Sequence, residues 1–396
     1  MRDAIARLPA SKIREVANAG IGCDDVLAFW FGESDEVTPE PVRQAAMRSL
    51  DAGETFYAHN LGLPELRTKL ADYCSGLHAA VDAERIAVTS SGVNALMLAM
   101  QLLVEAGDEV AAVVPLWPNL TAQARIMGAR VRRVALQPRH GQWQLDLDAL
   151  LDAITPATRV LLLNAPNNPT GWTLSRDEQR TILARCRRTG TWIVADEVYE
   201  RLYFDGGARG EPPVGAASGA GAVAPSFLDL ASDADRLIVV HSFSKSFLMT
   251  GWRLGWLVLP RGHLDAIGKL IEFNTSCAPA FVQRGGMAAL DIAPEFVPRL
   301  QRRLHGCRDR LIGQLQALPG VEVSHPRGGM YAFLRVHGRS DSLAFAKLLV
   351  RQYGLGLAPG VAFGDEGEGW LRWCFASRDP QRLDAGVQRL ARALAL

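Results

Sequence analysis

Short apolar runs alternate with amphipathic stretches through the middle of the chain. Residues 85–89 form one apolar run of strand length, and residues 92–105 follow with apolar positions at helical spacing before Gly107. Further strands are predicted at 109–114, 130–136, 159–163, 192–195, 236–240 and 255–259, with a helix at 175–189. Because the runs are continuously apolar, we expect strands buried on both faces. The pattern predicts a doubly wound α/β domain with a largely parallel sheet.

The pattern changes after residue 285. A charged helical stretch at 295–318 ends at Pro319-Gly320. Shorter runs follow, with strands predicted at 321–323, 331–336 and 370–375 and a helix at 342–353. This arrangement predicts a smaller α+β domain. We therefore predict a large domain at 46–285 and a small domain formed by 1–45 and 286–396.

Residues 206–225 are dominated by Gly, Ala and Pro. A mobile surface loop is the preferred interpretation, and a lid over the active site is the alternative.

Composition excludes several classes of function. The 396 residues carry 43 Lys and Arg against 42 Asp and Glu, so no long-range field recruits nucleic acid or an anionic membrane. The six cysteines are scattered without a C-x-x-C pair, which predicts a reducing compartment and no metal site. With no signal peptide core and no membrane-length apolar stretch, we expect a cytoplasmic protein.

The run from His241 to Ser246 contains the most informative residue, Lys245. Its amine stands among serine hydroxyls, and Arg253 follows eight positions later. A lysine amine condenses with an aldehyde, while hydroxyls and a guanidinium bind a phosphate dianion. Alone, the motif is also typical of a solvated surface lysine.

Four other predicted strands end in residues that suit the same ligand. Asn168 lies in a Pro- and Gly-rich turn and offers an amide to a ring oxygen, or forms an ordinary turn. Asp196 ends a buried strand, where it pairs with a pyridinium N–H or caps a helix, a role also open to Glu197. Tyr199 follows it, as a second donor to that oxygen or a core tyrosine.

The remaining two strand ends suit an anion and a ring face. The run through Ser91, Gly92 and Val93 opens a helix, so it forms an anion site or a plain serine N-cap. Trp117 follows another strand and stacks on an aromatic ring or belongs to the core. Each feature is weak alone, but five strand ends in this order define one site.

These motifs together resemble the class I/II aminotransferases, pyridoxal phosphate (PLP) enzymes of fold type I, from about Val26 to the C-terminus. The lysine motif is Ser-Phe-Ser-Lys at 242–245, followed by Gly-Trp-Arg-Leu-Gly at 251–255. The other matching segments are 31–35, 57–67, 168–171, 196–199, 358–364 and 371–376. The chain departs from the family pattern at Ser34, Val93 and Val114, which affects the shape of the pocket rather than the cofactor.

The resemblance implies the fold, a large domain with a mostly parallel seven-stranded sheet between helices, and a role for each site residue. Lys245 would form a Schiff base with PLP and move the proton in a ping-pong transfer from an L-amino acid to a 2-oxo acid. The residues implied around the cofactor are Asp196 at the ring nitrogen, Asn168 and Tyr199 at the ring hydroxyl, Trp117 on the ring, and Ser91, Gly92, Val93, Ser242 and Arg253 at the phosphate.

The resemblance also implies how the substrate and a second subunit complete the site. Arg372 would grip the substrate α-carboxylate, helped by the Gly32 backbone and Asn168. Tyr57 would reach the phosphate of the neighbouring subunit, which makes the active form a homodimer.

Two other functions remain open from the residues alone. A PLP enzyme of the same fold could instead catalyse β-elimination, decarboxylation or a biosynthetic oxidation or cyclisation, because the shared motifs bind only cofactor and carboxylate. A non-enzymatic regulator built on this fold is disfavoured, because only about 25 residues precede the entry region. The preferred substrate side chain is not identified, although Trp30, Phe31 and Trp117 suit an apolar or aromatic one.

Overall fold

The computed structural model describes residues 1–23, 25–204 and 221–395. The predicted loop at 206–225 lies outside these residues except for its last five positions, so neither interpretation of it is tested.

Strands and helices alternate along most of the chain. The strands are β1 (Leu27–Ala28), β2 (Ile86–Thr89), β3 (Glu109–Val114), β4 (Arg130–Ala135), β5 (Gln137–Arg139), β6 (Gln142–Gln144), β7 (Thr158–Asn164), β8 (Trp192–Asp196), β9 (Leu237–Ser242), β10 (Gly255–Val258), β11 (Val321–Val323), β12 (Tyr331–Val336), β13 (Leu355–Gly356), β14 (Ala358–Pro359) and β15 (Trp370–Cys374). The α-helices are α1 (Asp3–Ala6), α2 (Lys12–Asn18), α3 (Glu40–Asp51), α4 (Pro64–Leu77), α5 (Gly92–Leu103), α6 (Pro118–Ile126), α7 (Leu147–Ala153), α8 (Arg176–Thr189), α9 (Leu264–Glu272), α10 (Ala280–Gln316), α11 (Ser342–Tyr353) and α12 (Pro380–Leu394).

The large sheet contains seven strands in the order β2-β10-β9-β8-β7-β3-β4. Its pairs are parallel except for the two that β10 makes with β2 and β9. This confirms the predicted mostly parallel seven-stranded sheet. Alternate residues of each strand enter different cores: in β7, Leu161 and Leu163 belong to one hydrophobic cluster, and Val160 and Leu162 to the other.

The register of the large sheet brings functional positions to one edge. Asn164 pairs with Asp196 at the carboxyl ends of β7 and β8. Because β10 is antiparallel, its first residue, Gly255, lies beside Ser242 and Thr89 at the ends of β9 and β2. A Cβ on Gly255 would lie 2.7 Å from the backbone nitrogen of Gly92. Glycine at this position therefore lets the start of α5 approach the sheet edge closely.

A smaller sheet contains four strands in the order β11-β12-β15-β14, and all of its pairs are antiparallel. The parallel pair of β1 with β13 attaches the N-terminal segment near this sheet. Helix α10 runs for 37 residues through Pro294 and Pro298, so it begins 15 residues before the predicted start at 295 and passes through the predicted domain boundary at 285. Among the described residues, no helix is long and apolar enough to cross a membrane.

Candidate active site

A cavity of about 520 Å³ opens at the carboxyl edge of the large sheet. Most of the predicted site residues line it: Gly32, Gly92, Val93, Trp117, Asn168, Asp196, Tyr199, Ser242, Lys245, Arg253 and Arg372. Segments that are distant in the sequence therefore meet at one place.

Ser91 and Tyr57 are the two predicted site residues that do not line this cavity. The Ser91 hydroxyl accepts a hydrogen bond from the backbone N–H of Asn94, as the N-cap of α5, with a φ of 129°. Its side chain is therefore occupied by the helix cap, which was the alternative interpretation of this serine. Tyr57 is 89% exposed and does not line the cavity of its own chain.

Lys245 follows the end of β9, and its Nζ donates a hydrogen bond to the carbonyl oxygen of Gly32 at 2.6 Å. Burial lowers the pKa of Lys245 to about 8, and the neighbouring Arg372 and Arg253 act in the same direction, whereas Cys374 and Glu33 oppose them. The amine is therefore much closer to neutrality near pH 8 than a free lysine is. Since the Gly32 carbonyl is an acceptor, only the N–H of this residue suits the predicted contact with a carboxylate.

Asp196 ends β8 with its side chain 3% exposed and facing the cavity. One carboxylate oxygen accepts a long hydrogen bond of 3.4 Å from the Val198 backbone N–H. Burial raises the pKa of Asp196 to about 7, because the Val198 N–H and the Lys245 charge compensate its desolvation only in part. A cationic ring nitrogen would supply the missing partner. Glu197 accepts hydrogen bonds from the Phe227 N–H and from the hydroxyl of Ser226, which is itself the N-cap of the 3₁₀ turn at Phe227–Asp229.

One end of the cavity is built for an anion. The first N–H groups of α5, at Gly92 and Val93, lie there with the hydroxyls of Ser242 and Ser244. Arg253 adds its guanidinium, whose Nη1 donates to the Thr250 carbonyl oxygen at 2.5 Å. Arg253 forms no ion pair with any residue in the described ranges, so its charge is available to a phosphate.

Arg372, on β15, is 2% exposed and is held from several sides. Its Nη1 donates to the Asn168 side-chain oxygen at 3.0 Å, and its Nη2 donates to the Trp30 carbonyl oxygen. The guanidinium carbon lies 4.4 Å from the ring centre of Tyr331 and 4.9 Å from that of Phe363. Its Nε is buried and has no hydrogen-bond partner in the described part of the chain. This cation is therefore rigidly placed, and each of its two terminal nitrogens donates one hydrogen bond within the described residues and keeps a second N–H for a carboxylate.

Asn168 is oriented by the same contact. Its side-chain oxygen accepts from Arg372, and its backbone N–H donates to the Asn164 side-chain oxygen at 2.8 Å. Its side-chain NH₂ makes no hydrogen bond to the described residues and suits a ring oxygen.

The structure adds residues that sequence reasoning missed. Tyr331, on β12, hydrogen-bonds Tyr199 at 2.7 Å between the two phenol oxygens. Arg14 and Glu33 also line the cavity. Helix α2, which carries Arg14, packs against β14, and the Glu33 carbonyl oxygen accepts from the Cys374 thiol on β15. No local motif marks them. The weak signals were the paired glycines before Tyr331 and the position of Glu33 inside the 31–35 segment.

These groups fit PLP on their own chemistry. A lysine amine suits the aldehyde, a poorly compensated buried acid suits the ring nitrogen, and a helix N-terminus beside the Arg253 guanidinium suits the phosphate.

Comparison with known proteins agrees with this chemistry. The model of the family described as aminotransferase class I and II matches residues 25–390. The chain is 31% identical to an aspartate aminotransferase of Pyrococcus horikoshii over 97% of its length and 94% of that protein's. It is 32% identical to an arginine–pyruvate transaminase of Pseudomonas aeruginosa, over 88% of this chain and 85% of that protein.

Solved structures show the same relationship. The fold is similar to that of a single mutant of the Thermus thermophilus aspartate aminotransferase, with a TM-score of 0.88, 27% identity and 99% coverage of both chains. The resemblance inferred from the motifs is thus confirmed, as are the PLP cofactor and the transaminase activity. The chain belongs to the class I and II aminotransferases, PLP-dependent transaminases of fold type I.

Proposed function

We propose that the cavity is the site of this transamination, with Lys245 as the attachment point of PLP and the proton carrier. The observation that carries the proposal is the placement of the Lys245 amine and the Arg372 guanidinium on one cavity that also contains Asp196. An amine, an anchor for a carboxylate and an acid are the groups that transfer between an amino acid and a 2-oxo acid requires.

PLP, when bound, supplies an electron-withdrawing ring that stabilises negative charge on the substrate α-carbon. Asp196 would keep a proton on the ring nitrogen, which would maintain that withdrawal. Asn168 and Tyr199 would hold the ring oxygen, and Trp117, which also lines the cavity, would cover the ring face. The α5 N-terminus with Ser91, Gly92 and Val93, together with Ser242 and Arg253, would hold the phosphate, Ser91 by capping the helix.

With PLP bound, Lys245 would accept the substrate α-proton at Nζ and would donate it again to the cofactor carbon. For this step its amine must be neutral, and burial already lowers its pKa to about 8. Arg372 would anchor the α-carboxylate, helped by Asn168 and the Gly32 N–H, and would thereby restrict how the substrate turns beside Lys245. An anchored carboxylate favours loss of the α-proton over loss of the carboxylate.

We propose that the amino donor is selected by cavity residues that make none of the contacts proposed for the cofactor. Arg14 is a cation among them with no ion-pair partner in the ranges that the structure describes, and it lies 5.9 Å from the ring centre of Phe31. Glu33 adds one negative charge, which accepts a hydrogen bond from Thr250 at 3.3 Å. We propose that donors with an acidic side chain gain from Arg14. A screen of amino donors against 2-oxoglutarate, carried out on the wild type and on Arg14→Ala, tests this. If the two enzymes show the same relative activities toward the donors, Arg14 does not recognise the donor side chain.

We propose a homodimer in which Tyr57 binds the phosphate in the neighbouring subunit's site. Phe56, Tyr57 and Phe273 are 85%, 89% and 90% exposed, and such exposed aromatic side chains are typical of an interface. Tyr57 also lines no part of its own cavity.

Mixed dimers test this arrangement. Lys245→Ala and Tyr57→Ala subunits are combined in one dimer. If Tyr57 serves the neighbouring subunit's site, the site of the Lys245→Ala subunit has both defects and the site of the Tyr57→Ala subunit is intact. Activity is then restored in the mixture although each variant alone is impaired. If Tyr57 served its own subunit, every site in the mixed dimer would carry one defect and the mixture would stay impaired.

The lysine attachment and the reaction are tested together on purified protein. After incubation with PLP, borohydride reduction should fix the cofactor mass on the peptide containing Lys245 and not on the Lys245→Ala control. Transamination then requires an added 2-oxo acid, whereas β-elimination releases pyruvate and ammonia without one. Release without an oxo acid would overturn the proposed transfer.

We also propose that residues 46–285 form the PLP-binding domain and that residues 1–45 pair with 286–396, which the β1–β13 pairing supports. The six free cysteines support a cytoplasmic location.

A further inference from the structure

Tyr331 connects two parts of the cavity to which the mechanism gives separate tasks. It begins β12, is 1% exposed, and lies beside β15, where Phe333 pairs with Arg372. Its phenol oxygen is 2.7 Å from that of Tyr199, and its ring lies 4.4 Å from the Arg372 guanidinium carbon. Tyr331 therefore contacts both Tyr199, which is proposed to bind the cofactor's ring oxygen, and Arg372, which is proposed to bind the substrate carboxylate.

The position of Tyr331 is tightly constrained. A Cβ on Gly32 would lie 2.0 Å from the Tyr331 phenol oxygen, so the hydroxyl rests against the Gly32 backbone. The carbonyl oxygen of that glycine accepts the Lys245 hydrogen bond. Movement of Tyr331 is therefore limited on the side facing Lys245 and on the side facing Arg372.

The chemistry of the phenols determines the direction of their hydrogen bond. A phenol has one O–H to donate. If Tyr199 donates its hydrogen to the ring oxygen of PLP, it has none left for its neighbour, so Tyr331 must donate to the oxygen of Tyr199. A donor that itself accepts a hydrogen bond becomes a stronger donor.

We propose that Tyr331 is a positioning residue that transmits the binding of a substrate carboxylate at Arg372 to the Tyr199 phenol and thereby to the ring oxygen of PLP. The proposal rests on the function proposed above.

The surrounding groups keep Tyr331 in its donating form. Burial raises the pKa of Tyr331 to about 12, with Arg372 opposing and Cys374 and Asp196 reinforcing the rise. Burial also raises the pKa of Tyr199 and of Cys374. All three groups are therefore protonated at neutral pH, and Arg372 is the cation in direct contact with the Tyr331 ring. The Lys245 amine is the next cation, 5.7 Å from the ring centre of Tyr199.

The sign of the coupling follows from these charges. The Arg372 cation above the Tyr331 ring draws electron density from its hydroxyl and makes Tyr331 a better donor. A carboxylate bound to Arg372 offsets this cation and weakens the donation along the two phenols. The ring oxygen then carries more negative charge and holds more tightly the proton on the nitrogen that joins Lys245 to the cofactor. The pH at which the bound cofactor changes colour therefore rises.

The test compares holoenzymes of the wild type, Tyr331→Phe and the control Tyr353→Phe. Tyr331→Phe keeps the ring beneath Arg372 and removes only the hydroxyl, and Tyr353 is a partly buried tyrosine that does not line the cavity. Each protein is titrated by its visible absorbance, with and without propionate as an unreactive carboxylate.

We expect the transition of Tyr331→Phe to lie about 0.2–0.6 pH unit above that of the wild type. Propionate should raise the wild-type transition, and it should raise that of Tyr331→Phe by less, because one route of the coupling is missing. Tyr353→Phe should behave as the wild type. These spectroscopic readouts do not depend on turnover.

Coincident titrations of wild type and Tyr331→Phe, within about 0.1 pH unit with and without propionate, would overturn the coupling and leave the transaminase assignment intact. A Tyr331→Phe protein that binds no PLP would give Tyr331 a purely structural role and would also overturn it. If the wild type itself develops no visible band with PLP, the proposed function fails first, which separates the two failures.

Discussion

Removal of the Arg372 guanidinium gives the sharpest test of how the site recognises its substrate. The group is 2% exposed, held by Asn168 and Trp30, and packed between the rings of Tyr331 and Phe363. Truncation of one partner of a buried, hydrogen-bonded charge pair costs about 2–5 kcal/mol, because the other charge is left unpaired. At 1.4 kcal/mol per tenfold, Arg372→Ala should lower kcat/KM by roughly 30- to 4,000-fold.

Arg372→Lys separates charge from geometry. A lysine keeps the cation but lacks the planar fork that binds a carboxylate through two hydrogen bonds. The lost charge-assisted hydrogen bond is worth about 1.5–3 kcal/mol, so the loss should be roughly 10- to 150-fold. Arg335→Lys is the matched control, because Arg335 lies on β12 in an exposed ion pair with Glu322. We expect the control to match the wild type.

The assay compares an amino acid with the amine that lacks its carboxylate. Wild-type enzyme should strongly favour the amino acid, and Arg372→Ala should lose most of that preference because the amine never used the guanidinium. Thermal unfolding and the visible band of bound PLP show whether the fold survives. If Arg372→Ala lowers kcat/KM for both compounds by the same factor, Arg372 supports the structure and does not bind the carboxylate.

Three further predictions concern buried titratable groups. Burial lowers the pKa of Lys245 to about 8. In the apoenzyme, the rate at which an amine-reactive reagent modifies Lys245 should therefore rise with a midpoint near pH 8. A midpoint above about pH 10 would contradict the argument from desolvation. Burial raises the pKa of Asp196 from 3.8 to about 7, so the native apoenzyme keeps a proton that the unfolded chain loses, and its stability falls as pH rises from 3.8 to about 7. Asp196→Asn removes this loss of stability, so urea unfolding at pH 8 should show a variant apoenzyme more stable than the wild type by about 2–4 kcal/mol. The variant should also retain PLP less well. An Asp196→Asn apoenzyme no more stable than the wild type would refute the argument. Burial alone would lower the pKa of His78, but hydrogen bonds to Asp229 and Glu200 raise it to about 10, so its contribution to stability is complete below pH 6.5 and disappears as pH rises through about 10. His78→Gln should therefore cost about 3–5 kcal/mol at pH 6 and less above pH 10, and an equal loss in urea unfolding at both pH values would argue against the charged pair.

Several elements of the fold were predictable because their signals are local. The strand β3 and the helix α11 have the bounds that apolar periodicity predicts, and the Ser175 capping box marks the start of α8. The chemistry at the strand ends was predictable for a related reason. In a parallel sheet the carboxyl ends of the strands meet at one edge, so residues that follow the strands, such as Asn168 and Asp196, are brought together by topology alone.

Helix α10 shows where a local rule fails. Pro294 and Pro298 predict a helix boundary, since proline removes a backbone hydrogen bond. The helix nevertheless continues from Ala280 to Gln316, because Val297, Leu300 and other apolar side chains along it are buried in the core. Packing of this long apolar face outweighs the local cost of the prolines.

The sequence by itself determined the lysine, the acid at the end of β8 and the anion-binding helix start, since each follows from a short motif joined to a predicted strand. Only the tertiary structure decided that Tyr331 lies between Tyr199 and Arg372 and that Arg14 lines the cavity. The Tyr331 contacts with Tyr199 and Arg372 and the approach of Arg14 to the cavity depend on how the small sheet and the N-terminal helix pack against the large sheet. Packing of this kind depends on the shapes of surfaces formed by residues that are far apart in the chain, and no short stretch of sequence encodes those shapes.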